Sequence, residues 1–133
     1  MTLPASEHWF STSVRRNRKS FFFAAVLLTG FLLLVLAGLW FFEAPKRAGL
    51  LIYLLFFIPY VICTYFLTAQ RLRDMNLTGW LALLWIPLGI ADRTVGGALS
   101  LAFFIVLVVV PGTAGDNRYG PDPLISDYED WNA

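Results

Sequence analysis

The sequence predicts an all-α integral membrane protein, an antiparallel bundle of four transmembrane helices with the last two short and paired as a hairpin. Three observations predict it: two charge-free apolar runs, a third apolar region broken once by charge, and a scarcity of charged residues. The runs cover residues 21–42 and 48–69. At ~1.5 Å rise per residue, about 22 residues make roughly 33 Å of helix, enough to cross a ~30 Å hydrocarbon core. Of 133 residues, 58% are hydrophobic and 14% charged, against about 25% charged in soluble domains. With so little polar surface, most of the exterior must face lipid.

Residues 1–19 form a cytoplasmic N-terminal segment, with His8 and Trp9 read as interfacial. Arg15, Arg16, Arg18 and Lys19 stand directly before the first run and are expected as membrane-surface anchors. Each is worth ~1 kcal/mol beside an anionic leaflet. The first helix, about residues 20–42, exceeds the ~7–15 apolar residues of a secretory signal, and Glu43-Ala-Pro is a poor cleavage site, so the helix is retained. Trp40, Phe41 and Phe42 suit the headgroup level. Pro45 breaks the helix, and so short a loop turns the second helix antiparallel to the first.

The second helix, about residues 48–70, holds Pro59 near its centre, which predicts a kink. The single cysteine, Cys63, lies within it and reads as a small apolar packing residue. The stretch 70–79 is the one dense polar segment between apolar ones. Arg71 and Asp74 are three apart and share a helix face. Asn76 or Thr78 is a natural N-cap for the next helix. Asn76-Leu77-Thr78 also matches a glycosylation acceptor, a tripeptide too common to carry weight.

Residues 80–110 admit two readings. One is a hairpin of short helices, about 79–91 and 95–110, with Asp92 and Arg93 at a water-exposed turn. The other is a single tilted, broken span holding that pair in the membrane, for three helices in all. A charge at mid-bilayer costs ~2.5–3.5 kcal/mol on the mildest scale. Neighbouring residues point about 100° apart on a helix, which pairs Asp92 and Arg93 badly. Gly96-Gly97 suits a turn. These arguments favour the hairpin. Basic residues set orientation: Arg15, Arg16, Arg18, Lys19, Arg71 and Arg73 on one side outnumber Lys46, Arg47 and Arg93 on the other, so the N-terminal side is cytoplasmic.

Residues 111–133 are a polar loop and acidic tail, the latter carrying Asp127, Glu129 and Asp130. The loop, Pro111-Gly-Thr-Ala-Gly-Asp-Asn-Arg-Tyr-Gly-Pro-Asp-Pro123, strongly resembles the PGTxGxNRYGPDP motif that closes the domain of unknown function 805 family, small bacterial inner-membrane proteins of the YhaH type. Arg71-Leu-Arg-Asp74 with Thr78-Gly-Trp80 is similar to that family's RLHDxxxSGWW. Arg15-x-x-Arg18-x-x-Phe21-Phe22 resembles its GRxxRxxFW. The chain departs at Arg73, where the family has His, at Val14, where it has Gly, and in an apparent insertion at residues 92–97. The resemblance implies a multi-pass protein of the bacterial inner membrane and supplies no reaction.

Read physically, Gly112, Gly115 and Gly120 with Pro111, Pro121 and Pro123 make a defined loop, unlike a floppy tail. Asp116, Asn117, Arg118 and Tyr119 project polar groups from it. With Arg71, Arg73 and Asp74 they form a candidate polar clasp, Arg118 meeting Asp74 or Asp116 meeting Arg71 or Arg73. The clasp is either a structural lock or a pocket for an anionic lipid headgroup or small ligand. No HExxH, GxSxG, P-loop lysine or dinucleotide glycine pattern occurs, so no catalytic residue, metal or cofactor is expected. No long basic surface remains for nucleic acid. The expected function is a non-enzymatic accessory, scaffold or stress-related membrane factor. The alternative is a small oligomeric transporter or channel, with Ala24, Ala25, Gly30, Ala37 and Gly38 allowing close helix approach in a homo-oligomer. The partners are the lipid bilayer and, beyond it, another copy or another protein.

Overall fold

The computed structural model describes residues 14–120 and 122–124. His8, Trp9, Asp127, Glu129 and Asp130 lie outside the described residues. Helix α1 runs Arg18–Phe41 (24 residues). Asn17 stands at its N-cap in extended conformation, its side chain accepting from the Ser20 amide at 2.8 Å. That bond satisfies one of the four donors a helix start leaves open. Asn17→Ala is expected to cost about 1 kcal/mol, read as a lowered unfolding midpoint in detergent.

Pro45 opens α2, Lys46–Asp74 (29 residues), which carries Pro59 in its interior. A left-handed Asn76, φ 59°, follows its end. A six-residue 3-10 helix, Gly79–Leu84, is capped by Thr78, whose hydroxyl accepts from the Trp80 amide. It leads into α3, Trp85–Val95 (11 residues). Gly96 and Gly97, at φ 69° and 88°, turn the chain into α4, Ala98–Val109 (12 residues). No strand occurs among the described residues; Asn117 and Gly120 form an isolated antiparallel bridge.

The molecule is thus two hairpins, α1–α2 and α3–α4. The 3-10 helix lies on α2, and α4 packs against both α1 and α2. The core gathers at one end, from Phe21 and Ala24 of α1, Leu67, Ala69 and Leu72 of α2, Ala82 of the 3-10 helix and Leu107 of α4. The Phe21 and Phe104 rings, 6.0 Å apart, join α1 to α4, and within the second hairpin the Trp85 ring meets Phe103 edge-on at 4.9 Å. The Trp85 indole N–H donates to the Thr68 hydroxyl at 2.9 Å.

Length separates the hairpins. At ~1.5 Å per residue α1 is about 36 Å long and α4 about 18 Å. The far half of α1–α2 therefore stands without α3 or α4 beside it, and Leu34, Trp40, Phe42 and Leu51 are each more than two-thirds exposed there. An edge contact between Phe31 and Phe56, centroids 5.6 Å apart, joins the two helices in that half.

Four helices and a final hairpin match the sequence reading; the turn does not. It was expected at Asp92 and Arg93 and sits at Gly96-Gly97, because glycine alone takes positive φ without a Cβ penalty. Asp92 belongs instead to the last turn of α3. Its carboxylate accepts from the amides of Leu99 at 2.8 Å and Ser100 at 2.9 Å, so it caps the N-terminus of α4. Helix α2 also runs past residue 70 to Asp74, carrying three charged side chains, Arg71, Arg73 and Asp74, into the packed end of the bundle.

Candidate functional site: a buried polar clasp

Four chain segments converge at the packed end: residues 14–17 before α1, the last turn of α2, the last turn of α4, and the loop after it. Asp74 is the junction. Arg15 donates to one of its carboxylate oxygens through Nε at 3.1 Å and approaches it with Nη2 at 3.0 Å. Arg71, one turn back on α2, donates through Nη1 to the other oxygen. The Asp74 backbone carbonyl accepts from the Thr113 amide at 2.7 Å. Both faces of one residue therefore fasten α2 to distant chain.

The arginines reach further. Arg15 Nη1 donates to the carbonyls of Gly115 at 2.8 Å and Gly120 at 3.1 Å, and Nη2 to that of Thr113 at 2.6 Å. With the Asp74 contacts, all three guanidinium nitrogens are engaged. Arg71 Nε donates to the Leu107 carbonyl at 2.7 Å, and Nη2 to that of Val110. These carbonyls belong to the end of α4, where a helix leaves acceptors open and its dipole favours a cation. Arg18 adds a donation to the Val109 carbonyl at 3.3 Å.

A second junction lies alongside. Arg16 donates through Nε to the Gln70 amide oxygen at 2.8 Å and through Nη1 to the Ser20 hydroxyl at 2.6 Å. Its backbone amide donates to the Gln70 carbonyl at 3.2 Å. Arg15, Arg16, Ser20, Gln70, Arg71 and Asp74 are all buried. Buried polar groups of this kind persist only when partnered, and here each one is.

The loop is shaped to receive them. A Cβ at Gly112 would fall 2.6 Å from Asp74 Cγ and overlap the carboxylate, so only glycine allows that approach. Asp122, also buried, accepts from the Gly115 amide at 2.9 Å and the Leu124 amide at 3.0 Å. Asn117 accepts from the Tyr119 amide and donates to the Arg73 carbonyl, both at 2.9 Å.

Several sequence expectations are corrected here. Arg15 and Arg16 are not surface anchors: they precede the capped start of α1 and turn inward, whereas Arg18 and Lys19 are exposed. Asp74 does not meet Arg118, which donates to the Asn76 carbonyl at 3.0 Å and lies 4.9 Å from the Tyr119 ring centroid. Asp116 is exposed and in no ion pair with Arg71 or Arg73. Arg73 packs its guanidinium against Gly79, where a Cβ would come within 2.7 Å of Nη2, and its Nη1 is buried without a hydrogen-bond partner. Sequence reasoning missed Arg15, Arg16, Gln70, Gly112 and Asp122 as members of the clasp. The signal for the first two was Asn17 with Ser20, an N-cap pattern that ends the helix before them.

No group of three His, Cys, Asp or Glu side chains comes together among the described residues. Away from the clasp, a groove of about 580 Å³ runs between α2 and the 3-10 and α3 segments, walled by Phe57, Tyr60, Tyr65, Leu83, Trp85 and Ile86. Its lining is apolar and offers no converging acid–base groups.

The residues of the clasp coincide with the three motifs noted in the sequence, and comparison with known families agrees. The family model described as "Protein of unknown function (DUF805)" matches residues 9–121. The chain belongs to that family. No curated protein and no solved structure matches it. Within this DUF805 chain the glycine-rich loop has a physical task, since Gly112 and the carbonyls of residues 113, 115 and 120 form the cradle for Arg15 and Asp74.

Proposed function

We propose that this DUF805 protein is a multi-pass protein of the bacterial inner membrane, non-enzymatic, serving as an accessory or scaffold factor. The clasp is its structural lock, on the cytoplasmic face. Two helices are long and apolar enough to cross a bilayer, and their large apolar side chains point outward along most of their length. An even number of crossings follows from the shared end of the N-terminal segment and the C-terminal loop. The exposed cations Arg18, Lys19 and Arg118 lie at that end, which supports a cytoplasmic placement.

The observation that carries the functional reading is the internal saturation of the Arg15–Asp74–Arg71 junction. All three guanidinium nitrogens of Arg15 and of Arg71 and both oxygens of Asp74 are taken up by other parts of the same chain. A catalytic or transport site keeps groups available for substrate; a lock does not. Asp92, the one carboxylate in the second hairpin, has both oxygens taken up by amides in the first turn of α4, which argues against a polar transport path.

Purified protein in sealed vesicles tests this. Alkaline carbonate should leave the chain in the lipid, and proton and alkali-cation flux should equal that of empty vesicles. Flux that rises with protein and disappears in Asp92→Asn would replace the scaffold with the transporter.

A further inference from the structure

We propose that the chain is a one-leaflet wedge: the α3–α4 hairpin enters the clasp-side leaflet and turns back inside it, and the protein gathers where the bilayer bends with that leaflet on the convex side. This rests on the membrane-spanning reading above. Two independent ties set how deep the hairpin goes. At the clasp, Arg18 at the start of α1 donates to the Val109 carbonyl, and Arg71 at the end of α2 donates to the Leu107 and Val110 carbonyls, so α4 ends level with the start of α1. Below the clasp, the Phe21 ring of α1 lies 6.0 Å from the Phe104 ring of α4. From Val109 back to Ala98 is eleven residues, at most about 17 Å along the membrane normal, and any tilt of α4 shortens it. The apolar run of α1 opens at Phe21, three residues or about 4.5 Å past Arg18. Counted from the Phe21–Phe104 contact instead, Ala98 is six residues or about 9 Å further on. The tip therefore stops about 9–13 Å into a ~30 Å hydrocarbon core, short of its midplane.

The two leaflets then hold different amounts of protein. A helix with its side chains is about 10–12 Å across, so each fills roughly 80–110 Å² of leaflet. Four helices stand in the clasp-side leaflet and only α1 and α2 in the other, an excess of roughly 160–220 Å² on the clasp side. The shape is stiff. The core lies at the clasp end and draws on α1, α2, the 3-10 helix and α4 together, and the Trp85 indole is bonded to Thr68 of α2. The hairpin can neither splay from α1–α2 nor slide outward without breaking the clasp. Its one uncompensated charge acts in the same direction. Asp92 has its partners in the Leu99 and Ser100 amides, while Arg93 is exposed and among the described residues has no hydrogen bond and no ion pair. A long side chain leans toward the N-terminus of its helix, which for α3 is the clasp side, so the water and headgroups Arg93 draws in come from that leaflet. In a flat bilayer the extra area crowds the clasp-side lipids, and bending that leaflet outward gives them room. Insertion into one leaflet is curvature-sensitive for this reason. With the clasp cytoplasmic, the favoured geometry is a membrane folded toward the cytoplasm.

The experiment uses the full chain with Cys63→Ala and a reporter cysteine at the exposed Lys46, at the α1–α2 loop, in giant phosphatidylcholine vesicles from which narrow tubes are pulled. An impermeant maleimide dye added outside marks only chains whose loop faces out. Dye given to every chain and then bleached from outside leaves only chains whose clasp faces out. Relative to a lipid dye, clasp-out chains should be at least about twofold denser on the tube than on the vesicle, and loop-out chains should be depleted there. Equal densities on tube and vesicle, or the same sign for both orientations, overturn the wedge. A second chain, Cys63→Ala with Thr94→Cys, should stay unlabelled from the loop side under conditions that label position 46. Equal labelling of the two positions means that the hairpin crosses the bilayer, and overturns the proposal while the membrane reading stands. Release of the chain by alkaline carbonate overturns the membrane reading itself.

Discussion

Replacing Asp74 with alanine is expected to lower unfolding free energy by about 3–5 kcal/mol, the range for removing one partner of a buried ion pair. The geometry places the change near the upper end. Asp74 is buried and is shared by Arg15 and Arg71, whose side chains are essentially inaccessible. Losing the carboxylate leaves two guanidinium groups facing each other in a site that water does not reach. The same step strips a charge-assisted acceptor from Arg15 Nε and Nη2 and from Arg71 Nη1. Arg118→Ala, by contrast, removes an exposed donation to the Asn76 carbonyl and should cost less than about 1 kcal/mol. Unfolding in mild detergent, followed by helicity, separates the two. Exchanging the charges, Asp74→Arg with Arg118→Asp, should not restore stability, because the two side chains have different partners. Equal losses for Asp74→Ala and Arg118→Ala would show that the pairing at the clasp is misassigned.

Much of the architecture was legible because a bilayer-length apolar run has few other uses. The two long runs became α1 and α2. The last turn was expected a few residues early, at the charged pair Asp92 and Arg93, although the Gly96-Gly97 pair that forms it also suits a turn by sequence. Half of the clasp was legible for a similar reason: Arg71 and Asp74 are three apart on a helix, and periodicity alone puts them side by side. Their other partners were not. Arg15 is 59 residues from Asp74, and charge attraction carries no sequence distance. Arg15 and Arg18 share a spacing that suggests one helix face, yet Asn17 caps the helix between them, so one turns into the bundle and the other out. Arg118 illustrates the converse. It stands in the most distinctive motif of the chain and only rims the clasp, while Gly112 of the same motif makes the close approach to Asp74.

Gly112 makes the second large prediction. Gly112→Ala adds one methyl group, and the Cβ would overlap the Asp74 carboxylate. Overpacking of this kind costs typically about 1–3 kcal/mol. Relief by movement is restricted, because Arg15 and Arg71 hold the carboxylate from both sides and the Thr113 amide holds the backbone beneath it. Gly30→Ala is the matched control. Nothing lies within 4 Å of its Cβ position, and Gly30 is interior to α1, so alanine there should be stabilising by about 0.5–1 kcal/mol. The pair of glycines thus gives opposite signs for one chemical change. The decisive measurement is the double variant. In an Asp74→Ala background the carboxylate is gone, and Gly112→Ala should then have lost most of its cost, a coupling that identifies the clash as its cause. If Gly112→Ala costs the same with and without the carboxylate, its effect comes from the loop backbone, and the close approach of loop to α2 is not what glycine provides there.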